Sequence, residues 1–286
     1  MMDMSVMDLP VDHPGVDDQD YRHRRAQIAA LAGSWVPGAA IPIAEYTAAE
    51  HDVWARVAQQ LRRRHQERCS GAFLDGAMSL ALPQDHIPQL RDLNERLRAA
   101  SGFSLAPVPG LVPARTFYGS LADRTFMSTQ YVRHTSVPFY TPEPDVIHEV
   151  VGHLNLIANP TFAELHRLAG ETSRRCLSDQ AHEFFSRVFW FTLEFGTVWE
   201  GDELKAYGAG LASSFGELEV FRNAEIRPFN IIEMGTLDYD ISAYQPILFS
   251  VPSVEFLTDR LGRFFSDFDD DMYEGWIRGA AFESRR

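Results

Sequence analysis

At 286 residues the chain has room for one large domain, and a hydrophobic fraction of 45% with 20 Phe provides a substantial core without staples. A formal charge of −14 argues against nucleic acid or an anionic membrane surface as the main partner. Two cysteines, Cys69 and Cys176, read as reduced thiols of a cytoplasmic protein; no apolar run approaches the ~20 residues of a membrane span, and no Lys or Arg before Arg22 opens a secretory signal.

Residues 1–20 are rich in Asp and Met and lack periodicity, so a mobile acidic leader is expected, docking if anywhere through residues 11–15. Residues 21–286 are expected to form a single catalytic domain. A helix fits residues 21–31, ended by Gly33, and Pro37 and Pro42 bracket an extended connector. Thr47-Ala48-Ala49-Glu50 is a capping box that opens a long amphipathic helix to about Arg64. Another helix fits 87–101, closed by Gly102. A Pro/Gly-rich loop over 107–113 then leads into Arg115-Thr116-Phe117-Tyr118. Residues 129–132 alternate β-branched and aromatic types and predict a short strand.

Pro138, Pro142 and Pro144 keep the backbone extended ahead of a helix bearing His148 and His153. Asn159-Pro160 breaks it, and helix resumes over 160–168. Ser178 caps a long helix reaching Glu194, on which Ser186, Trp190 and Glu194 recur every fourth residue along one face. Helices over 214–222 and 254–265 follow, separated by strand-like pieces near Ile231 and Ile247. With no repeat and no linker, the pattern predicts one mainly α domain with small β pieces, an α+β class.

The chemistry concentrates in His148-Glu149-Val150-Val151-Gly152-His153 and in Trp190-Phe191-Thr192-Leu193-Glu194. Two histidines and one carboxylate make a facial triad that holds a non-haem ferrous ion and leaves one side open. A zinc peptidase would need its histidines at i and i+4 on one helical face. Here they stand at i and i+5, about 140° apart on an α-helix, which disfavours a zinc hydrolase. Glu194 lies in an apolar run over 188–195, where a buried carboxylate is costly unless a cation compensates it. His13, His23, His51, His65, His86, His134, His166 and His182 read as ordinary surface or core residues.

Five stretches carry a resemblance: Thr129-Gln130-Tyr131-Val132-Arg133-His134, Tyr140-Thr141-Pro142-Glu143-Pro144-Asp145, the His148–His153 segment, Trp190 to Gly196, and Ala206 to Glu217. In that order they resemble the pterin-dependent aromatic amino acid hydroxylases, and most of all the bacterial phenylalanine hydroxylases. The resemblance implies that family's catalytic-domain fold and iron held by His148, His153 and Glu194. It also implies Fe(II), tetrahydrobiopterin or a related tetrahydropterin, and O2 as co-substrate. The implied reaction is hydroxylation of free L-phenylalanine, to L-tyrosine by attack at the 4-position. Phenylalanine 3-hydroxylation and tryptophan 5-hydroxylation are the alternatives within the family, and an inactive binding protein of the same fold is disfavoured by the complete triad.

On the substrate side, Arg133 resembles the residue that clamps the α-carboxylate with a bidentate fork, assisted by Thr141. Trp190 and Phe195 resemble pocket walls, with Trp190 stacking on the substrate. Gly210 allows close approach, and Ser213 lies beside them. On the pterin side Phe117 resembles the ring that stacks on the cofactor, completed by Val112, Leu121, Glu149 and Phe189. Asp145 and Ser213 resemble groups that orient His148 through its other ring nitrogen. The chain departs from better-known members at Phe189, often Tyr. It departs again at Met127-Ser128, where animal members carry His-Cys, and at Leu154-Asn155-Leu156, where many relatives have Val-Pro-Leu. Set against the animal members, its length implies a catalytic core that works as a monomer.

Overall fold

Most helices start where the sequence supplies a cap. The computed structural model describes Leu9 and residues 13–283; its first helix, α1 (Gln19–Gly33), has its first turn capped by Asp18 accepting from the Tyr21 N–H. The helix therefore begins inside the span expected as leader. Val11 and Asp12 lie outside the described residues, but His13 and Gly15 are buried, and Gly15 packs so closely on the Tyr21 and His134 rings that no Cβ would fit. α2 (Ala48–Arg68) carries the reciprocal Thr47–Glu50 capping box and runs a turn beyond its expected end. α3 (Gly71–Leu80) and α4 (Leu90–Ser101) follow, and α4 stops at Gly102, whose φ of +78° is left-handed.

β1 (Ser104–Pro107) and β2 (Thr125–Ser128) pair in parallel around α5 (Ala114–Leu121). The strand expected over 129–132 is thus displaced upstream. Its partner runs out at Pro107, opposite Ser128, and the Tyr131 carbonyl accepts instead from the Val146 N–H.

A π-helical turn spans His148–Leu154 and passes into α6 (Asn155–Ile157). α7 (Pro160–Arg175) follows, capped by Asn159, then α8 (Asp179–Phe189), capped by Ser178, and a second π-turn over Trp190–Glu194. The α-helix expected to reach Glu194 therefore changes winding at its last turn. β3 (Thr197–Glu200), β4 (Glu203–Ala206), α9 (Ala209–Ser213), α10 (Phe215–Val220) and β5 (Glu225–Pro228) come next. The chain ends with α11 (Ile231–Thr236), β6 (Ile247–Val251), α12 (Val254–Asp267) and α13 (Asp270–Glu283). The small sheet has the order β4-β3-β6-β5, antiparallel between β3 and β4 and parallel elsewhere. Ile231 opens a helix rather than a strand, because the Asn230 side chain caps the Glu233 N–H.

α7 packs against α5 and α12, and α9 crosses the first π-turn, so one hydrophobic core surrounds the ligand-bearing segments. Cys69 and Cys176 are both free and buried. Among the described residues no helix is long and apolar enough to cross a membrane.

Candidate active site

The first π-turn resolves the spacing of the two histidines. Its hydrogen bonds run from i to i+5, so residues five apart return to one face, where an α-helix would separate them. The Nε2 atoms of His148 and His153 stand 3.2 Å apart. Gly152 is required between them: a Cβ there would lie 2.5 Å from the Ala209 carbonyl oxygen, where α9 crosses. At the exit of the turn, Asn155 Nδ2 donates to the Val151 carbonyl at 2.9 Å, satisfying an oxygen where the winding changes.

The second π-turn aims Glu194 at the same point. The Phe195 N–H donates to the Trp190 carbonyl at 2.9 Å, five residues back, and Thr192 Oγ1 donates to the Val188 carbonyl at 2.6 Å. Glu194 Oε1 lies 3.0 Å from His153 Nε2. Gly210 keeps its far side open, since a Cβ there would meet the Phe195 ring at 2.9 Å and Glu194 Oε2 at 3.0 Å.

Hydrogen bonding sets the imidazole tautomer. Ser213 Oγ donates to the Gly210 carbonyl at 3.1 Å, so at 2.9 Å from His148 it accepts from Nδ1–H, leaving the His148 Nε2 lone pair for a ligand. Burial, then the neighbouring His153, pushes His148 down to about 4. Burial opposes the proton on His153 as well, but Glu194 outweighs it and raises that imidazole.

Two carboxylates compete for the third position. His148, Glu149 and His153 have donor atoms within 4.8 Å of one another, whereas Glu194 forms the ion pair with His153. Burial pushes the Glu149 carboxyl up to about 8. Burial pushes Glu194 the same way, but His153 and then His148 hold it below the usual range. Donors about 2.1 Å from one ion and at right angles lie about 3 Å apart, and this donor set fits a shared divalent cation. His153 is buried, while His148 and Glu194 are only partly so, which leaves one face accessible.

Arg133 and Asp145 form a buried pair, with Nε to Oδ2 at 2.9 Å and Nη2 to Oδ1 at 2.7 Å. The guanidinium fork expected to grip a substrate carboxylate is therefore committed to Asp145, and only Nη1, in a long 3.5 Å contact with the Pro138 carbonyl, remains for a ligand. Asp145 also does not reach the His148 ring. Its Oδ1 accepts the His148 backbone N–H at 3.0 Å, capping the π-turn, and burial of this carboxyl is outweighed by Arg133, which holds it low. The Thr141 hydroxyl donates to the Glu143 carbonyl at 2.7 Å within its own loop. Glu143 in turn pairs with Arg25 at 2.8 Å, and His13, read as ordinary from sequence, lies 3.8 Å from it. His166, by contrast, keeps the plain reading: it donates to the Phe162 carbonyl in the core.

Trp190 is itself held in a stack. Tyr239 lies parallel to it at 4.3 Å, Phe195 tilts against it at 4.5 Å, and its Nε1 donates to Gln245 Oε1 at 3.1 Å. Trp190 nevertheless remains partly exposed beside these partners. Phe117 is half-buried and makes only edge contacts, with Tyr118 at 5.4 Å and Phe126 at 5.6 Å. Such a ring suits a flat heterocycle. Val112 is partly exposed nearby in sequence, but the Leu121 and Phe189 side chains are enclosed in the core. Phe189 supports this wall from behind, edge-on to Tyr118 at 4.8 Å, instead of lining it. Sequence reasoning placed Ser186 on the face of Trp190 and Glu194 but assigned no role near the site to Tyr118, Tyr239, Gln245 or Glu217. The one available signal was the indole N–H, which needs a partner when buried.

A mononuclear centre of two imidazoles and one carboxylate beside aromatic walls is the geometry of non-haem iron oxygenases. The model of the biopterin-dependent aromatic amino acid hydroxylases matches residues 2–274, and the chain belongs to this family. It is 46% identical over 269 residues to phenylalanine 3-hydroxylase of Streptomyces coeruleorubidus, covering 94% of this chain and 96% of that one. To tyrosine 3-monooxygenase of Rattus norvegicus it is 41% identical over 265 residues, which are 91% of this chain but only 53% of the rat protein, so it spans about half of that relative. The crystal structure of Chromobacterium violaceum phenylalanine hydroxylase with bound iron(III) and 7,8-dihydrobiopterin matches with a TM-score of 0.72 at 30% identity, over 77% of this chain and 82% of that one.

Proposed function

We propose that the chain hydroxylates the ring of free L-phenylalanine, with ferrous iron held by His148, His153 and Glu194 and a tetrahydropterin as reductant. The observation that carries this is the meeting of the two π-turns, which aim three donor atoms at one point beneath a partly open face. Bound there, iron and pterin supply oxygen activation and two electrons. The chain's own work is positional. Arg133, fixed by Asp145, offers Nη1 to the amino acid carboxylate, and Trp190 with Phe195 confines the ring. Phe117 offers the pterin a ring face. Glu149, whose carboxyl burial pushes up to about 8, is assigned to the pterin side.

For the carbon attacked we propose the meta position. The Streptomyces relative matched over nearly its whole length is named a phenylalanine 3-hydroxylase, which supports this against the para attack expected from sequence. Asn155 and Phe189, where the chain departs from better-known members, adjoin the two ligand-bearing turns, where small shifts move a bound ring relative to the metal. The test is incubation with Fe(II), tetrahydrobiopterin and air, with each aromatic amino acid in turn and products identified by NMR. Meta-tyrosine from phenylalanine is the expected product. L-tyrosine would overturn the regiochemistry alone, and absence of any hydroxylated amino acid would overturn the whole reading.

A further inference from the structure

His65, read as ordinary from sequence, is buried on the last turn of α2. Its Nε2 lies 2.8 Å from the Ala212 carbonyl oxygen, which can only accept, so the ring donates there from Nε2–H. The same ring meets Phe73 of α3 edge-to-face at 5.0 Å. One side chain thus touches both α9 and α3, and each of those helices packs on the ligand-bearing segment at a glycine. At α9 the Ala209 carbonyl takes the space that a Gly152 Cβ would need, and Ser213 holds the His148 ring. At α3 a Cβ on Gly76 would lie 2.0 Å from the Asn155 carbonyl oxygen, at the exit of the first π-turn. With five residues, α9 is far too short to hold its shape alone, so its place is set by neighbours. Ahead of it the Ser70 N–H donates to the Ala206 carbonyl at 2.8 Å, and beyond it Arg68 pairs with Glu219 at 2.9 Å. His65 bonds α9 itself.

We propose that His65 is a positioning residue for the metal centre, the spacer that sets how α3 and α9 grip the first π-turn. This rests on the reading of His148, His153 and Glu194 as the iron ligands. The hydrogen bond fixes the end of α9 from which Ser213 reaches His148, and the ring keeps α3 seated on Asn155. Without the bond the buried Ala212 carbonyl loses its donor, and α9 moves to find another. That movement reaches the carboxylate as well as the imidazole. Gly208 and Gly210 lie against Glu194, their Cβ positions 2.3 Å from its carbonyl oxygen and 3.0 Å from Oε2. A close-packed core transmits such a shift rather than absorbing it.

The grip is read without turnover, as the rate at which the iron-loaded chain gives up Fe(II) to excess ferrozine. In His65→Gln the amide nitrogen stands near the place of Nε2, and in His65→Asn near that of Nδ1, so only the first still reaches Ala212. Release from His65→Gln should stay within about threefold of the parent, and release from His65→Asn should be about tenfold faster or more. The visible bands of the cobalt(II)-substituted protein should shift in His65→Asn and stay in place in His65→Gln. Phe73→Leu keeps the hydrogen bond and loosens only the α3 side; it should speed release about threefold, and it stands in if His65→Asn does not fold. Val53→Ala, a buried truncation near the start of α2, should lower the urea midpoint yet leave release within about twofold. Parental release from both His65→Asn and Phe73→Leu overturns the proposal. So does release from His65→Gln or Val53→Ala as fast as from His65→Asn, since the bond to Ala212 would then not be what matters. Failure of the ligand reading looks different: the parent itself would then retain no iron.

Discussion

The ligand-bearing turns and the aromatic walls face the same space, yet they are held in different ways. His148, His153 and Glu194 stand on two π-turns fixed by backbone bonds, capped by Asp145 and crossed at Gly152 by a helix that admits no side chain. Trp190, Tyr239 and Phe117 are held by other side chains and remain partly exposed, and Tyr239 rides on an irregular loop. The difference is one of tolerance. A metal geometry is lost with a small displacement, so it is built on helices, whereas a pocket for a flat ring can re-pack.

The comparison breaks most sharply at the ligands. His153→Ala should abolish iron retention and turnover while far-ultraviolet circular dichroism stays close to that of the parent, whereas Glu149→Gln should still bind one iron per chain. Loss of iron in the second variant, measured by atomic absorption, would hand the third position to Glu149.

Arg133→Ala should come next, at about a hundredfold or more in kcat/KM, since charge-assisted hydrogen bonds are worth roughly 1.5–3 kcal/mol each. Lys should rescue only in part. Phenethylamine, which has no carboxylate, should lose much less; an equal loss would show that Arg133 serves only to neutralise buried Asp145.

On the rigid side, Gly152→Ala should destabilise by about 2–3 kcal/mol in urea denaturation, because the obstacle is backbone and cannot swing away. Gly275→Ala, inside exposed α13 with open space around it, is the control and should instead gain about 0.5–1 kcal/mol. On the adaptable side, burial lifts Glu217 to about 7 from an ordinary 4.5. The unfolded chain ionises this group first, so it withdraws stability as pH rises from 4.5 through about 7. Glu217→Gln keeps the acceptor for Gln245 and should gain roughly 1–2 kcal/mol over the parent at pH 8 and nothing at pH 4. The smallest effect is expected for Trp190→Phe, a several-fold shift in kcat/KM towards tryptophan, because a pocket wall that can relax excludes weakly.

The convergence of His148, His153 and Glu194, the proposed metal ligands, was legible because their chemistry is local: two imidazoles in one short segment and a carboxylate in an apolar run. The winding that joins them was not, since propensity reads His148–Leu154 as ordinary helix and the π-turn is imposed by the crossing at Gly152 and the cap at Asp145. Asp145 was placed near His148 for the right reason and on the wrong atom, because its partner Arg133 stands 12 residues upstream. Trp190 was named without its supports. Gln245 is 55 residues away and its own partner Glu217 stands 28 residues before it, and no pattern in a single sequence links them. Ile231 shows the opposite failing. A short segment of ambiguous character, Ile231-Ile232-Glu233-Met234, was settled by one capping side chain, Asn230.

A π-turn holds one residue more than the α-turn it replaces. In His148-Glu149-Val150-Val151-Gly152-His153 the surplus can be located: an in-frame loss of the codon for either Val150 or Val151 would write His-Glu-Val-Gly-His. The imidazoles would then share one face of a regular α-helix at the spacing of the zinc peptidases, with Glu149 in the place of their general base and Glu194 left over. An oxygen-activating ligand set and a hydrolytic one are thus separated in this segment by three nucleotides, and an insertion in the reverse direction would change the metal's donors while leaving the ends of the helix in place.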